Sequence, residues 1–284
     1  MLSTNLEMLR DAREKGYAIP AINTQGGNYD IIRAICRAAD ELGSPIILAH
    51  YVSTGAYSGN DWFVEVSRWM AEKVSVPVSI HLDHGDCFEL CMEALQLGFT
   101  SLMLDKSSLP VEENAAAVRE VIRVAHAFGV PVEAEVGELV RLDGSGADAG
   151  GTCAADPADV RRFLELCQPD TLAIGIGNAH GFYREQPVIR LDVLDAVRSF
   201  SDLPLVLHGC TGMNEEVVRQ AIGLGVAKIN YGTQIRYNYV KYLKECIDGM
   251  DHQGHSFKIA RAASDRLKED VKDIIRASGS AGKA

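Results

Sequence analysis

Three histidines in this chain each close a run of apolar residues: His84 ends His81-Leu-Asp-His, His180 ends Gly175-Ile-Gly-Asn-Ala-His, and His208 ends Leu205-Val-Leu-His. Any one of them alone reads as an ordinary structural histidine. Three arriving from separate strand ends have the make-up of a divalent-metal centre with three imidazole ligands and an open position. A zinc ion so held polarises a carbonyl oxygen, which is what enolate chemistry beside a ketone demands, and the same ligands also allow hydrolysis. Asp83, directly before His84, puts a carboxylate near that metal, where it exchanges a proton with a substrate hydroxyl or orients a histidine. His84, Cys87 and Cys91 also have the spacing of ligands on a helix turn, but buried small-residue packing is the simpler reading of the two cysteines.

Glycines follow two of the three histidines, in His180-Gly181-Phe and in His208-Gly209-Cys210-Thr211-Gly212. Glycine lets a phosphate approach the main chain, and Thr211 with the N–H groups ahead of a helix at Asn214 makes an anion nest. Asn230-Tyr231-Gly232-Thr233 likewise ends an apolar run just before a helix, the place where barrels commonly hold a phosphate. Together these segments set an anion beside the metal. The chain as a whole would repel one: 28 basic and 39 acidic residues give a formal charge of −11. That balance argues against nucleic acid and anionic membranes as partners, and requires any phosphate ester to be held by local positive charge.

Positioning these residues takes eight short runs rich in branched apolar residues: 18–23, 45–50, 76–83, 101–105, 130–136, 171–176, 205–208 and 226–231. Each precedes a stretch of helical periodicity, namely 29–42, 62–73, 86–97, 112–128, 157–167, 191–199, 214–224 and 234–247. Asp156-Pro157 supplies an N-cap followed by proline at the first helical position, and Gly43, Gly98, Gly129 and Gly225 close helices. Eight strand–helix pairs predict a (β/α)₈ barrel as a single domain over residues 1–284, with residues 255–275 as an additional C-terminal helix. A doubly wound open sheet is the competitor. Against it, the loop after the first strand reads Asn23-Thr-Gln-Gly-Gly and not G-x-G-x-x-G.

The glycine-rich stretch 137–155 is too long for an ordinary connection and reads as a mobile active-site loop. The small, polar tail 278–284 is expected to fray. No apolar run is long enough to span a membrane, the N-terminus lacks a signal core, and the seven cysteines have no framework spacing, so a reduced, cytoplasmic protein is expected.

These residues resemble the class II, zinc-dependent fructose- and tagatose-bisphosphate aldolases along nearly the whole chain. The matching stretches are Leu82-Asp83-His84, Val132-Glu-Ala-Glu-Val-Gly137, Asn178-Ala-His-Gly181, Leu205-Val-Leu-His-Gly209 and Lys228-Ile-Asn-Tyr-Gly-Thr233. The resemblance implies a homodimer or homotetramer of barrels, with one zinc on His84, His180 and His208 and with Asp83 as the proton donor and acceptor. Dihydroxyacetone phosphate would be held by Gly181, by Gly209, Cys210 and Thr211, and by Asn230 to Thr233, with Na⁺ or K⁺ often near the phosphate. Asn23 and Glu135 are further candidate site residues.

Three departures from the family's pattern stand out. The mobile loop reads Leu139-Val-Arg-Leu-Asp-Gly144 where relatives carry a Gly-Gly-x-Glu-Asp-like sequence, leaving Asp143 as the candidate second acid. The small hydroxyl residue usual after the second strand is Tyr51 here, and the expected Asp-Gly-Ser after the fourth reads Asp105-Lys106-Ser107. These differences imply a retained dihydroxyacetone phosphate half and an unusual aldehyde half, such as that of another ketose 1-phosphate. The rival readings are a Schiff-base aldolase using Lys228 or Lys106, a noncatalytic sugar-phosphate-binding protein, and a zinc hydrolase.

Overall fold

The computed structural model describes residues 1–141, 154–183, 187–249 and 254–284. Its barrel strands are β1 (Ile19–Asn23), β2 (Ile46–Tyr51), β3 (Val78–Gly85), β4 (Ser101–Leu104), β5 (Val132–Val136), β7 (Thr171–Ile174), β9 (Leu205–Leu207) and β10 (Val226–Tyr231). Two short strands, β6 (Val140–Arg141) and β8 (Ala179–His180), pair with each other outside the barrel. The eight barrel strands close in the order β1-β10-β9-β7-β5-β4-β3-β2, all parallel. This is the (β/α)₈ barrel expected from the alternation of apolar runs and helical stretches.

Between the strands run α2 (Tyr29–Leu42), α3 (Val52–Ser58), α4 (Asn60–Ala71), α5 (Phe88–Leu97), α6 (Val111–Ala125), α7 (Pro157–Leu166), α8 (Leu191–Arg198) and α9 (Glu215–Gly223). The start and stop signals act as their chemistry requires. Asp156 accepts from the N–H of Ala158, Asn214 from that of Glu216, and Gly43 ends α2 in the left-handed conformation. Beyond β10 lie α10 (Thr233–Asp248) and α11 (Ser256–Ala277). The latter buries Ala263, Leu267, Val271 and Ile275, one residue per turn, and packs along α2, where Arg33 reaches Asp265 at 2.9 Å.

Two helices were not expected. One is α1 (Leu6–Lys15), whose Leu9 and Ala12 pack with Ile19, Ala21, Ile47 and Ala227 and close one end of the barrel. Only two of its ten residues, Leu9 and Ala12, are buried, and no apolar strand run precedes it to mark a strand–helix pair. The other is α3, seven residues long and directly after β2.

The tail does not fray. Ser278 and Ser280 are buried, the Ser44 hydroxyl donates to Ser280 at 2.8 Å, and the N–H groups of Gly282 and Ala284 donate to Leu42 and Gly43 at 2.8 and 2.9 Å. The end of α2 leaves carbonyls without intrahelical partners, and the turns of this small-residue segment come close enough to satisfy them.

Candidate active site

Asp83 and His84 are consecutive, and in a regular strand they would point to opposite faces. Here the β3–β4 register shifts between Leu82 and Gly85, and His84 takes φ +54°, a left-handed conformation uncommon for a residue with a side chain. The bend lets both residues line one cavity at the carboxyl ends of the strands. Gly85 is what allows it: a Cβ there would lie 2.5 Å from the carbonyl oxygen of Met103 on β4.

His180 comes from β8 and His208 follows β9. Their loops are locked together by Asn178, whose Oδ1 accepts from Ile176 and whose Nδ2 donates to the His208 carbonyl, both at 2.8 Å. The Tyr183 hydroxyl joins them as well, accepting from the Ala179 N–H at 2.8 Å and facing the carbonyls of Ala179 and Gly209 at 2.9 Å. The backbone pairing of β6 with β8 brings residues 140 and 141, at the start of the glycine-rich loop, beside His180.

The three imidazoles converge. Their ring centroids are 5.0 Å (His84 to His180), 4.6 Å (His84 to His208) and 6.0 Å (His180 to His208) apart, and one nitrogen from each lies within 4.8 Å of the others. Two of the rings are oriented from behind. His84 Nδ1 lies 2.8 Å from Asp105 Oδ2, and His208 Nε2 lies 3.0 Å from Glu133 Oε1. The opposite nitrogens, His84 Nε2 and His208 Nδ1, are buried and make no hydrogen bond. A buried imidazole nitrogen left bare while its partner nitrogen is held by a carboxylate is the arrangement of a metal ligand.

The electrostatics agree. Burial depresses the basicity of His84, but Asp105, Asp83 and Glu135 outweigh it and raise its pKa to about 9, while Asp105 itself is held well below the usual carboxylate range. Burial, with His84 and Lys228 nearby, keeps His208 well below its ordinary value and therefore neutral. Glu135, 4.0 Å from His84 Nδ1, is pushed up to about 8 by burial and by Asp105. Carboxylates thus favour a cation at this point, and His84, Asp105 and Glu135 form a second group that can hold one. Among the described residues Cys87 and Cys91 join neither group; Cys91 packs in the core, as the simpler reading expected, while Cys87 is only half-buried.

Asp83 faces the three rings. Its Oδ1 accepts from Asn230 Nδ2 at 2.9 Å and lies 3.9 Å from His208 Nδ1. Around it the cavity, of about 210 Å³, is walled by Gly181, Gly209 and Thr211 on one side, by Asn230, Tyr231, Gly232 and Thr233 above β10, and by Asn23 and Tyr51 opposite. The Gln234 N–H donates to Thr211 Oγ1 at 3.3 Å, tying the loop after β9 to the start of α10.

Other expected residues stand apart from the cavity. Cys210 is buried with its thiol turned to the Leu207 carbonyl at 3.3 Å. Asp105 and Glu135 lie against His84 Nδ1, and neither they nor Lys106 and Ser107 line the cavity. Ser107 instead donates to Asp105 through N–H and hydroxyl at 3.1 and 2.7 Å. Asp143 lies outside the described residues. The lysines proposed for a Schiff base do not line the cavity either, and Lys228 is fully buried on Glu133 at 2.8 Å.

Gln25, Ser53, Thr54 and Arg236 line the cavity without having been expected. Arg236 was within reach of sequence reasoning, one turn along the helix that starts at Thr233. The others depend on α3 and on a left-handed Gln25 (φ +54°), neither of which leaves a mark in the pattern.

Comparison with known proteins agrees with this geometry. The family model described as Fructose-bisphosphate aldolase class-II matches residues 3–283. The chain is 38% identical over 281 residues to a Bacillus subtilis (strain 168) protein named "Probable fructose-bisphosphate aldolase", with 98% of each covered. It is 35% identical over 309 residues to the fructose-bisphosphate aldolase of Thermus caldophilus, with 100% of each covered. Among solved structures it is similar to the YdjI aldolase from Escherichia coli K12, with a TM-score of 0.88, 32% identity and 100% coverage of both chains. A match across the full length, in sequence and in three dimensions, places this chain in the class-II fructose-bisphosphate aldolase family, as an aldolase and hence a lyase.

Proposed function

We propose that this aldolase depends on zinc and reversibly cleaves a ketose phosphate into dihydroxyacetone phosphate and an aldehyde. The observation that carries the reading is the convergence of His84, His180 and His208 beside Asp83, with His84 Nε2 and His208 Nδ1 buried and bare. Three imidazole nitrogen donors with carboxylates behind two of them suit zinc in ligand type and number, and leave a position for substrate. When bound, zinc supplies Lewis acidity at the ketone oxygen.

The chain's own residues do the rest. Asp83 takes the proton from the C4 hydroxyl, the C3–C4 bond breaks as the aldehyde carbonyl forms, and the bonding pair passes to the ketone half. Asn230 holds the Asp83 carboxylate in place for that transfer. The ketone half then takes a proton at C3 from a second acid, for which Asp143 of the glycine-rich loop is the candidate. The phosphate is held by the N–H groups of Gly181, Gly209 and Thr211 and by the segment from Asn230 to Thr233 at the start of α10, with Arg236 adding a side-chain cation. Cys210 lends main chain only.

The aldehyde half faces Tyr51, which sets its ring edge-on to His84 at 6.1 Å, together with Gln25, Ser53 and Thr54. A tyrosine here in place of a small hydroxyl residue supports a ketose 1-phosphate substrate, and the subunit is read as part of a dimer or tetramer. The test is a zinc-loaded cleavage panel of fructose 1,6-bisphosphate, tagatose 1,6-bisphosphate and ketose 1-phosphates. Dihydroxyacetone phosphate from a ketose 1-phosphate at the highest kcat/KM supports the reading, and a clear preference for either bisphosphate overturns the substrate assignment.

A further inference from the structure

Behind His208, inside the barrel, three strands contribute a polar cluster with almost no solvent contact. Lys228 on β10 is fully buried, and its ammonium donates to both oxygens of Glu133 on β5, at 2.9 and 2.8 Å, and to Nε2 of His81 on β3 at 3.1 Å. Those three bonds use all three of its protons. His81, its Nε2 occupied as an acceptor, turns Nδ1 to Ser101 Oγ at 2.8 Å. Glu133, anchored from below, accepts from His208 Nε2 at 3.0 Å.

An ammonium and a carboxylate taken wholly out of water are weak contributors to stability; apolar side chains of similar volume usually do as well or better. Elsewhere the barrel interior is filled that way, by Met103, Ala173 and Val206. A charged pair kept at this depth, one hydrogen bond from a site histidine, points to a role in setting that histidine.

We propose that Lys228 is a positioning residue for the metal centre. It fixes Glu133 as the acceptor for His208 Nε2–H, which leaves His208 Nδ1 as the nitrogen turned to the metal. The inference rests on the zinc reading above and assigns Lys228 a purpose distinct from Schiff-base chemistry, which its place outside the cavity lining and its three hydrogen bonds disfavour.

The test compares wild type, Lys228→Met and the double variant Lys228→Met/Glu133→Gln. It measures zinc affinity by competition with a chromophoric chelator, and the His208 tautomer by ¹⁵N-edited NMR of the metal-free protein. Lys228→Met is expected to weaken zinc binding by about 10–100-fold and to shift the His208 tautomer. The double variant keeps a neutral oxygen facing His208 and carries no buried charge; it is expected to fold and to recover part of the affinity, remaining below wild type. Wild-type affinity and tautomer in folded Lys228→Met overturn the proposal. If that variant does not fold, wild-type affinity in the double variant does so. Failure of the wild-type protein itself to bind zinc would instead bring down the metal reading.

Discussion

Asn230, at the mouth of β10, donates through Nδ2 to Oδ1 of Asp83 on β3 at 2.9 Å, so the carboxylate proposed to move the proton is held from across the barrel. Asp83→Ala is expected to lower kcat/KM for cleavage by about 10²–10⁴-fold with zinc content and melting temperature near wild type. Asn230→Ala, which frees the carboxylate without removing it, is expected to cost less. Steady-state kinetics with metal analysis on the same samples decide this, and wild-type turnover in a folded, metallated Asp83→Ala protein sinks the role.

Asp105 touches His84 from the side away from the cavity, 2.8 Å from Nδ1. Asp105→Asn is expected to weaken zinc binding by about 10–100-fold, with activity regained in excess zinc. Chelator titration separates the outcomes: an unchanged affinity would show that His84 needs no such support.

Gly209 joins the loops that carry His180 and His208. It sits at φ +67°, and a Cβ there would lie 2.3 Å from the carbonyl oxygen of Ala179. Gly209→Ala is expected to cost about 1–3 kcal/mol in stability and to lower zinc affinity by parting the two rings. Denaturant unfolding and metal titration check both, and a neutral substitution would mean that the loops tolerate the separation.

Burial pushes the thiols of Cys36, Cys91 and Cys167 up to about 12. Native protein treated with iodoacetamide at pH 8 is expected to be labelled at the half-buried Cys87 and Cys246 and spared at those three, as read by peptide mass spectrometry. Unfolded thiols ionise near about 8.5. The folded forms do not until pH 12 or so, so this contribution to stability is fully present below pH 8.5 or so and is lost as the pH climbs toward 12. Labelling of Cys91 as fast as of Cys87 would contradict its packing in the core.

How legible each feature is in the sequence depends on how strongly it is written into residue type. Parallel strands buried on both faces leave unbroken apolar runs, which is why β1, β2 and β10 appear within a residue of their expected bounds, and why the histidines ending β3 and β9 stood out. α1 buries one short edge and leaves no such trace. The tail from Ser278 gains its order from hydrogen bonds to a distant helix end, which composition does not record. At the site, Asp83 and the three histidines announce themselves by position. Glu133 and Lys228 are isolated charges inside apolar strands, and their partnership exists only once the barrel has closed. Asp105 ends a strand like the other site residues, but its carboxylate is taken up by His84 Nδ1, a pairing that strand position alone does not reveal.

Diffraction data collected across the zinc absorption edge from zinc-loaded crystals test the central claim most directly. One anomalous peak is expected in the cavity beside Asp83, about 2.0–2.1 Å from a nitrogen of each of His84, His180 and His208, with His84 through Nε2 and His208 through Nδ1. A peak elsewhere, or the three rings without a shared ion in fully loaded protein, would contradict it.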